Sequence, residues 1–268
     1  MKNMMKKIPA LLMALTLVVS AAACSNSAAA GKDRLAQVQE TKKLKVGMET
    51  TYPPMEFTDE KGSTIGFDVD LMAAIAQKLG VQMDVVPTDF AGITEGLAAN
   101  RFDVIASGMN ITEKRKESVL FSDPYIDAVG LSLILRPEEK DVKKFSDLAG
   151  KKIGLQQGST ADEWARSQSN LGEVKEYLSI SEALLDLSAG RIQAVVTDNV
   201  VGAYYIKKDP KNYQMPKELL EAGPLGIAIP KDAPELKAQI DAALKTLKAE
   251  GTLANLSEKW FGTNIYQK

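Results

Sequence analysis

The sequence predicts an α/β protein of two lobes. Three observations carry that expectation. Strand-like and helix-like segments alternate, and the alternation runs twice over. Two β-prone runs, Ala128 to Leu135 and Leu225 to Ile229, stand where a chain could cross between lobes. Beyond the second run Leu236, Ile240, Leu244 and Leu247 stripe a helix, so the chain's last segment can return to the lobe where the first began.

The elements follow in order. Lys2, Lys6 and Lys7 precede an apolar stretch from Ile8 to Ala23, which reads as a cleaved export signal over residues 1–23. That stretch is shorter than the ~20 apolar residues a spanning helix needs. Cys24, the single cysteine, follows Ala21-Ala22-Ala23 directly. The arrangement resembles the lipobox of bacterial lipoproteins, with Ala21 where that motif has Leu. The resemblance implies a diacylated, palmitate-bearing Cys24, and residues 24–40 are expected to form the lipidated start and a flexible tether. Leu44 to Gly47 reads as a buried strand, Phe67 to Leu79 as a helix stopped by Gly80, and Val81 to Val86 as a strand. Ala91 to Ala99 is a helix and Phe102 to Ile105 a strand. Then come the strand Lys152 to Leu155, the helix Thr160 to Ser167 and the strand Val174 to Tyr177. The helix Ser179 to Ala189, the strand Ala194 to Thr197 and the helix Val200 to Lys207 close the second alternation. Thr160-x-x-Glu163 and Ser179-x-x-Glu182 are both candidate capping boxes. Lobe 1 is therefore expected over 41–131 and 225–268, and lobe 2 over 132–224.

Composition removes several function classes. There is no histidine, which excludes Ser-His-Asp and Cys-His nucleophiles and His-ligated zinc. One cysteine cannot build a thiolate metal site or an internal disulfide. No G-x-x-x-x-G-K-[ST] phosphate loop is present. The chain has 33 Lys and Arg against 35 Asp and Glu, and loss of the three leader lysines makes it more acidic. That balance offers no electrostatic footprint for nucleic acid. No cofactor is expected.

Specific motifs then narrow the reading. Gly66-Phe67-Asp68-Val69-Asp70-Leu71 resembles the signature of the polar-amino-acid solute-binding proteins of ABC importers. Tyr52-Pro53-Pro54-Met55-Glu56-Phe57, Asp89-Phe90-Ala91-Gly92-Ile93, Gly108 to Arg115, and Phe121-Ser122-Asp123-Pro124-Tyr125 match the same family in the same order. The ending Lys259-Trp260-Phe261-Gly262 is also typical of it. The resemblance implies the type II periplasmic-binding fold, with two crossover strands and a ligand cleft between the lobes. It implies a monomer outside the cytoplasm, held at the cell membrane by its lipid, which closes on an amino acid and presents it to permease subunits.

A free amino acid buries a carboxylate and an ammonium, and each needs a partner. Arg115, whose planar fork matches a carboxylate, is the candidate for the first. By the resemblance, Ser107, Gly108 and Asn110 add loop contacts, and Thr160 occupies a contact position. Asp198 is the candidate for the ammonium, and its plain alternative is a helix cap. Tyr52 and Phe90 are the expected walls. Glu49 stands where relatives place an acid near the ligand side chain, which would favour a basic amino acid or an amide. Two other classes stay open. Some relatives on this fold are dehydratases of cyclohexadienyl acids, and Glu49 or Asp198 could supply the acid such chemistry needs. Others are sensory domains that act through a partner.

Overall fold

The computed structural model describes residues 33–267. The export signal, Cys24 and the Ser- and Ala-rich stretch after it lie outside the described residues. The first described element is a helix, α1 (Arg34–Thr41). The tether expected to reach residue 40 therefore gives way to structure by residue 34. The physical signal is local: Asp33 accepts the Leu35 amide as an N-cap, and Leu35 and Val38 lie one turn apart, with Val38 buried in the core.

Next come β1 (Lys43–Met48), β2 (Thr51–Tyr52), β3 (Glu56–Thr58), β4 (Thr64–Ile65), α2 (Phe67–Lys78) and β5 (Gln82–Pro87). They are followed by α3 (Ile93–Ala98), β6 (Val104–Ile105), α4 (Glu113–Ser118) and β7 (Val119–Phe121). A second series begins with β8 (Ile126–Leu135), a short 3-10 turn (Phe145–Leu148), β9 (Ile153–Gln156), α5 (Thr160–Arg166) and β10 (Val174–Tyr177). It continues through α6 (Ile180–Ser188), β11 (Ala194–Asp198), α7 (Asn199–Lys208) and β12 (Leu220–Leu225). The chain ends through β13 (Ala228–Pro230), α8 (Pro234–Ala249) and α9 (Thr252–Phe261).

Two five-stranded sheets result, in the orders β5-β1-β6-β13-β7 and β10-β9-β11-β8-β12, with a small β2-β3-β4 sheet beside the first. The strands β5, β1 and β6 run parallel, as do β10, β9 and β11. The first sheet packs on α2 and α8, whose Leu71, Met72, Ile75, Leu236, Ile240 and Leu244 share one core.

The chain crosses between the sheets twice. One expected crossover run, 128–135, pairs with β11 and β12 of the second sheet. The crossing itself is Ser122 to Tyr125, just before β8. The other run, 225–229, breaks at Gly226 and Ile227, with Leu225 in the second sheet and Ala228 in the first. The two crossings lie side by side: the Tyr125 amide donates to Leu225 O at 3.0 Å and the Ser122 amide to Ile227 O at 2.9 Å.

Of the two candidate capping boxes, Ser179–Glu182 forms in both directions. The other is shifted by one residue. Ser159 is the N-cap of α5 and accepts the Asp162 amide, while the Asp162 carboxylate accepts the Gly158 amide. No reciprocal box closes here, since the Ser159 amide bonds to Gln156 O, and Glu163 instead pairs with Lys114 at 3.0 Å.

Candidate functional site

Ligands of open parallel sheets bind beyond the carboxyl ends of the strands. The candidate residues fall there in both lobes. Glu49 follows β1, Phe90 follows β5, and Ser107, Gly108 and Asn110 follow β6. From the second sheet, Gln156 ends β9, Thr160 opens α5, and Asp198 ends β11.

These ends meet in a nearly closed cavity of about 10 Å³. That is far below the ~300–1,000 Å³ of ligand pockets, so an amino acid would enter only as the lobes and lining side chains move apart. The first lobe contributes Tyr52, Phe90, Ser107, Gly108 and Asn110 to its lining. Gln156, Thr160 and Asp198 come from the second, with Ile180 and Leu131 as apolar wall.

Asp198 stands at the N-terminus of α7 yet makes no cap bond with its side chain, so the helix-cap alternative does not describe it. Its Oδ2 accepts from the Tyr52 hydroxyl at 2.9 Å, a bond between the lobes. Its Oδ1 is buried with no partner among the described residues. Burial pushes the carboxyl up to about 6, against the pull of the Tyr52 bond and the Arg115 charge. Asn110 is the complementary case. Its Oδ1 accepts from the Thr160 hydroxyl at 3.1 Å, again across the cleft, while its Nδ2 is buried with no partner among the described residues. One buried acceptor and one buried donor thus lack mates at one cavity, and buried polar groups ordinarily have them.

Arg115 lies just outside this lining. Its guanidinium sits 5.4 Å from the Phe90 ring centroid and donates to Asn110 O at 2.9 Å and Gly158 O at 3.1 Å. Burial lowers its affinity for a proton, opposed by Glu163, Asp198 and Tyr52. Gly108 has φ +52°, and a Cβ on it would meet the Tyr52 ring at 3.0 Å, so glycine lets the loop approach that wall. The Gly108 amide is already used by Asp68 at 2.7 Å. Ser107 is also occupied, accepting the Glu49 amide at 2.9 Å and donating to Glu56 Oε1 at 2.8 Å.

Glu49 is buried but lines a neighbouring, larger depression with Asp89, Arg101, Ser179 and Glu182. It borders the cavity through Gln156, whose Nε2 donates to Glu49 Oε2 at 2.6 Å and to Leu178 O at 2.9 Å. Thr51 donates to the other carboxylate oxygen. Burial raises the Glu49 carboxyl, and Thr51 and Gln156 oppose the rise. Gln156, Ile180, Thr197 and Leu131 are cavity residues that the sequence did not single out. Gln156 carried one usable signal, a polar residue ending a buried run at a parallel strand's carboxyl end. Among the described residues no cluster of His, Cys, Asp or Glu could hold a metal ion, and no helix is long and apolar enough to cross a membrane.

Two α/β lobes, joined twice and closing polar groups around one small cavity, define a two-lobed solute-binding protein. Residues 44–263 match the bacterial extracellular solute-binding proteins, family 3, and the chain belongs to that family. It is 32% identical over 254 residues to the L-cystine-binding protein TcyJ of Escherichia coli K12, covering 95% of this chain and 96% of that one. It is 31% identical over 261 residues to the arginine-binding extracellular protein ArtP of Bacillus subtilis, covering 96% and 98%. An ancestral arginine-binding protein bound to arginine superposes with a TM-score of 0.79 at 42% identity, covering 82% of this chain and 99% of that one. These similar proteins are named for binding.

Proposed function

We propose that this chain is an extracytoplasmic, lipid-anchored receptor that encloses a polar, basic amino acid between its lobes and delivers it to the permease of an ABC importer. The observation that carries the reading is the pair of unmatched buried groups at the cavity, Asp198 Oδ1 and Asn110 Nδ2. An α-ammonium supplies donors for the first, and an α-carboxylate supplies an acceptor for the second. Arg115, on the rim beside Phe90, would turn its fork to the same carboxylate. Tyr52 and Phe90 flank the carbon skeleton. Glu49, reached past Gln156, would take the cationic end of a long side chain, as the arginine-binding relatives encourage. The receptor works as a monomer and catalyses nothing on this reading. Cleavage before Cys24 and lipidation of its thiol would hold it at the outer face of the membrane.

A thermal-shift screen of the twenty amino acids with ornithine, citrulline and cystine tests the ligand class. A ligand at 100-fold over its dissociation constant stabilises by ~2.7 kcal/mol. Arginine, lysine or ornithine should give the largest shifts. Absence of any shift, with turnover of prephenate or arogenate, would replace the receptor by a dehydratase. The anchor has its own test. Two acyl chains suffice for stable attachment, so Cys24→Ala should move the protein from the membrane fraction to the soluble one. Retention of that variant on membranes in high salt would count against lipidation.

A further inference from the structure

Beneath the cavity lies a group of buried titratable side chains that no ligand would touch. Glu56, on β3, and Asp68, in the first turn of α2, are both fully buried. Among the described residues no cation pairs with either. Two of their four carboxyl oxygens have donors, through three hydrogen bonds. Glu56 Oε1 accepts from Ser107 Oγ at 2.8 Å. Asp68 Oδ2 accepts from the Gly108 amide at 2.7 Å and from the Tyr125 hydroxyl at 2.9 Å. The remaining oxygens, Glu56 Oε2 and Asp68 Oδ1, have no donor among the described residues. Yet the two carboxyls lie side by side: the Asp68 amide donates to Met55 O, one residue before Glu56, at 2.9 Å, and the consecutive residues Ser107 and Gly108 bond one to each carboxyl.

Two ionised carboxylates cannot occupy such a site, since burial and mutual repulsion act together. A single proton resolves every account. Held on Glu56 Oε2, it donates to Asp68 Oδ1, and both orphaned oxygens are then satisfied. Asp68 is the better-placed anion, because it accepts two other donors and sits at the positive end of a 12-residue helix. Glu56 is then the neutral acid.

We propose that Glu56 and Asp68 share one proton in a carboxylic acid–carboxylate bond, and that this pair is the positioning element for the ligand loop Ser107–Gly108. One unbroken relay results. The Glu49 amide donates to Ser107 Oγ, Ser107 donates to Glu56, Glu56 donates to Asp68, and Gly108 and Tyr125 donate to Asp68 from the other side. The backbone at Glu49, the loop below Tyr52 and the end of the first crossing are thus tied to one proton. The groups facing the pair are Glu49, Tyr125 and Tyr266, with Asp127 facing Tyr266, so its surroundings carry acids and phenols but no base. Burial first, then the partner carboxylate, raises Glu56 well above the usual carboxylate range, in keeping with this assignment. Ligand contact belongs to the loop, and the pair acts through it.

The wild-type protein decides the first half. Infrared spectroscopy at pH 8 should show a protonated carboxylic acid C=O stretch, and Glu56→Gln should remove it. Its absence in the wild type, in folded protein, would overturn the proposal without any variant. The second half uses binding of arginine, and so rests on the receptor reading above. Glu56→Gln keeps an acceptor for Ser107 and a donor for Asp68, and should bind within about threefold of the wild type. Glu56→Ala breaks the relay and should lose tenfold or more. Wild-type affinity should also fall at alkaline pH as the shared proton leaves, whereas Glu56→Gln should lack that limb. Equal affinity in Glu56→Ala, or the same alkaline limb in Glu56→Gln, would remove the pair from loop positioning. If arginine binds neither protein, the ligand assignment fails while the infrared result still judges the pair.

Discussion

Asp198 is subject to two opposing effects. Burial raises its folded pKa from the ordinary 3.8 to about 6. For a raised acid, the stabilising effect is fully present below the unfolded pKa and disappears as pH rises through the folded one. The ligand-free protein should therefore lose stability between about pH 4 and 6 from this group. An ammonium reverses the preference, because it binds the carboxylate. The contribution of Asp198 to amino-acid affinity should thus be flat above about pH 6 and fall toward tenfold per unit below it, with proton release on binding there. Calorimetry in buffers of different ionisation enthalpy measures both. A pH-independent affinity from 5 to 8 would take Asp198 out of ammonium recognition. Glu49 allows a different test, of rank order. Glu49→Gln should lose Lys and Arg binding far more than Gln binding, since a buried cation needs a counter-charge while an amide loses ~1 kcal/mol at most on exchanging one hydrogen-bond partner. Competition titrations with the three ligands would return Glu49 to a general shaping role if all losses were equal.

At the scale of elements, the joint between β4 and α2 leaves less room for a side chain than any other described glycine position. Gly66 has φ +144°, and a Cβ there would lie 2.1 Å from Met55 O. Flexible side chains can yield to such a contact, but a backbone carbonyl already fixed by the Asp68 amide at 2.9 Å cannot. Gly66→Ala should therefore destabilise by more than ~4 kcal/mol, in the diagnostic tail of single mutations. Gly80, also at positive φ but with open space around its Cβ position, is the control, and Gly80→Ala should cost only the left-handed strain of ~1–2 kcal/mol. Urea unfolding of both variants checks the contrast, and equal losses would show that backbone strain alone governs these sites. The same segment shows what a sequence can disclose about an element. Helix α2 was readable from Met72, Ile75 and Ala76 and from the Gly80 stop, because its period and its end are local. The cap at Ser179 was readable for the same reason. Helix α1 was assigned to the tether because its face is short and its surroundings polar. The α5 cap was assigned one residue late because Ser159 and Thr160 are both good caps, and only the Asp162 geometry separates them.

At the scale of the molecule, the site becomes visible only when the lobes meet. Arg115 and Asp198 could be proposed from their motifs, but Gln156 could not be linked to Glu49, which lies 107 residues away and bonds to it across the cleft. Pairing of that kind depends on topology and leaves no local period. The cross-cleft bonds have an energetic consequence. Tyr52 to Asp198, Thr160 to Asn110, Gln156 to Glu49 and Arg115 to Gly158 O all join the lobes. The closed arrangement is thus held in part by the protein itself, and a ligand adds only its differential affinity for that state. Thr160→Val removes one such bond while keeping the side chain's shape. A net hydrogen bond is worth ~0.5–1.5 kcal/mol, or roughly two- to tenfold in the closed-to-open ratio. If Thr160 acts through closure, the ligand-free variant should populate open forms more, and affinity should fall by a similar factor. Lys114→Gln, which breaks only the 3.0 Å ion pair to Glu163 at the exposed rim, should change neither appreciably. Distances between spin labels on the two lobes, measured with and without arginine, separate the possibilities. A longer ligand-free distance in Thr160→Val supports closure energetics. An unchanged ligand-free distribution with weakened binding would mean that Thr160 works by touching the ligand, and that the lobes are held by their remaining contacts.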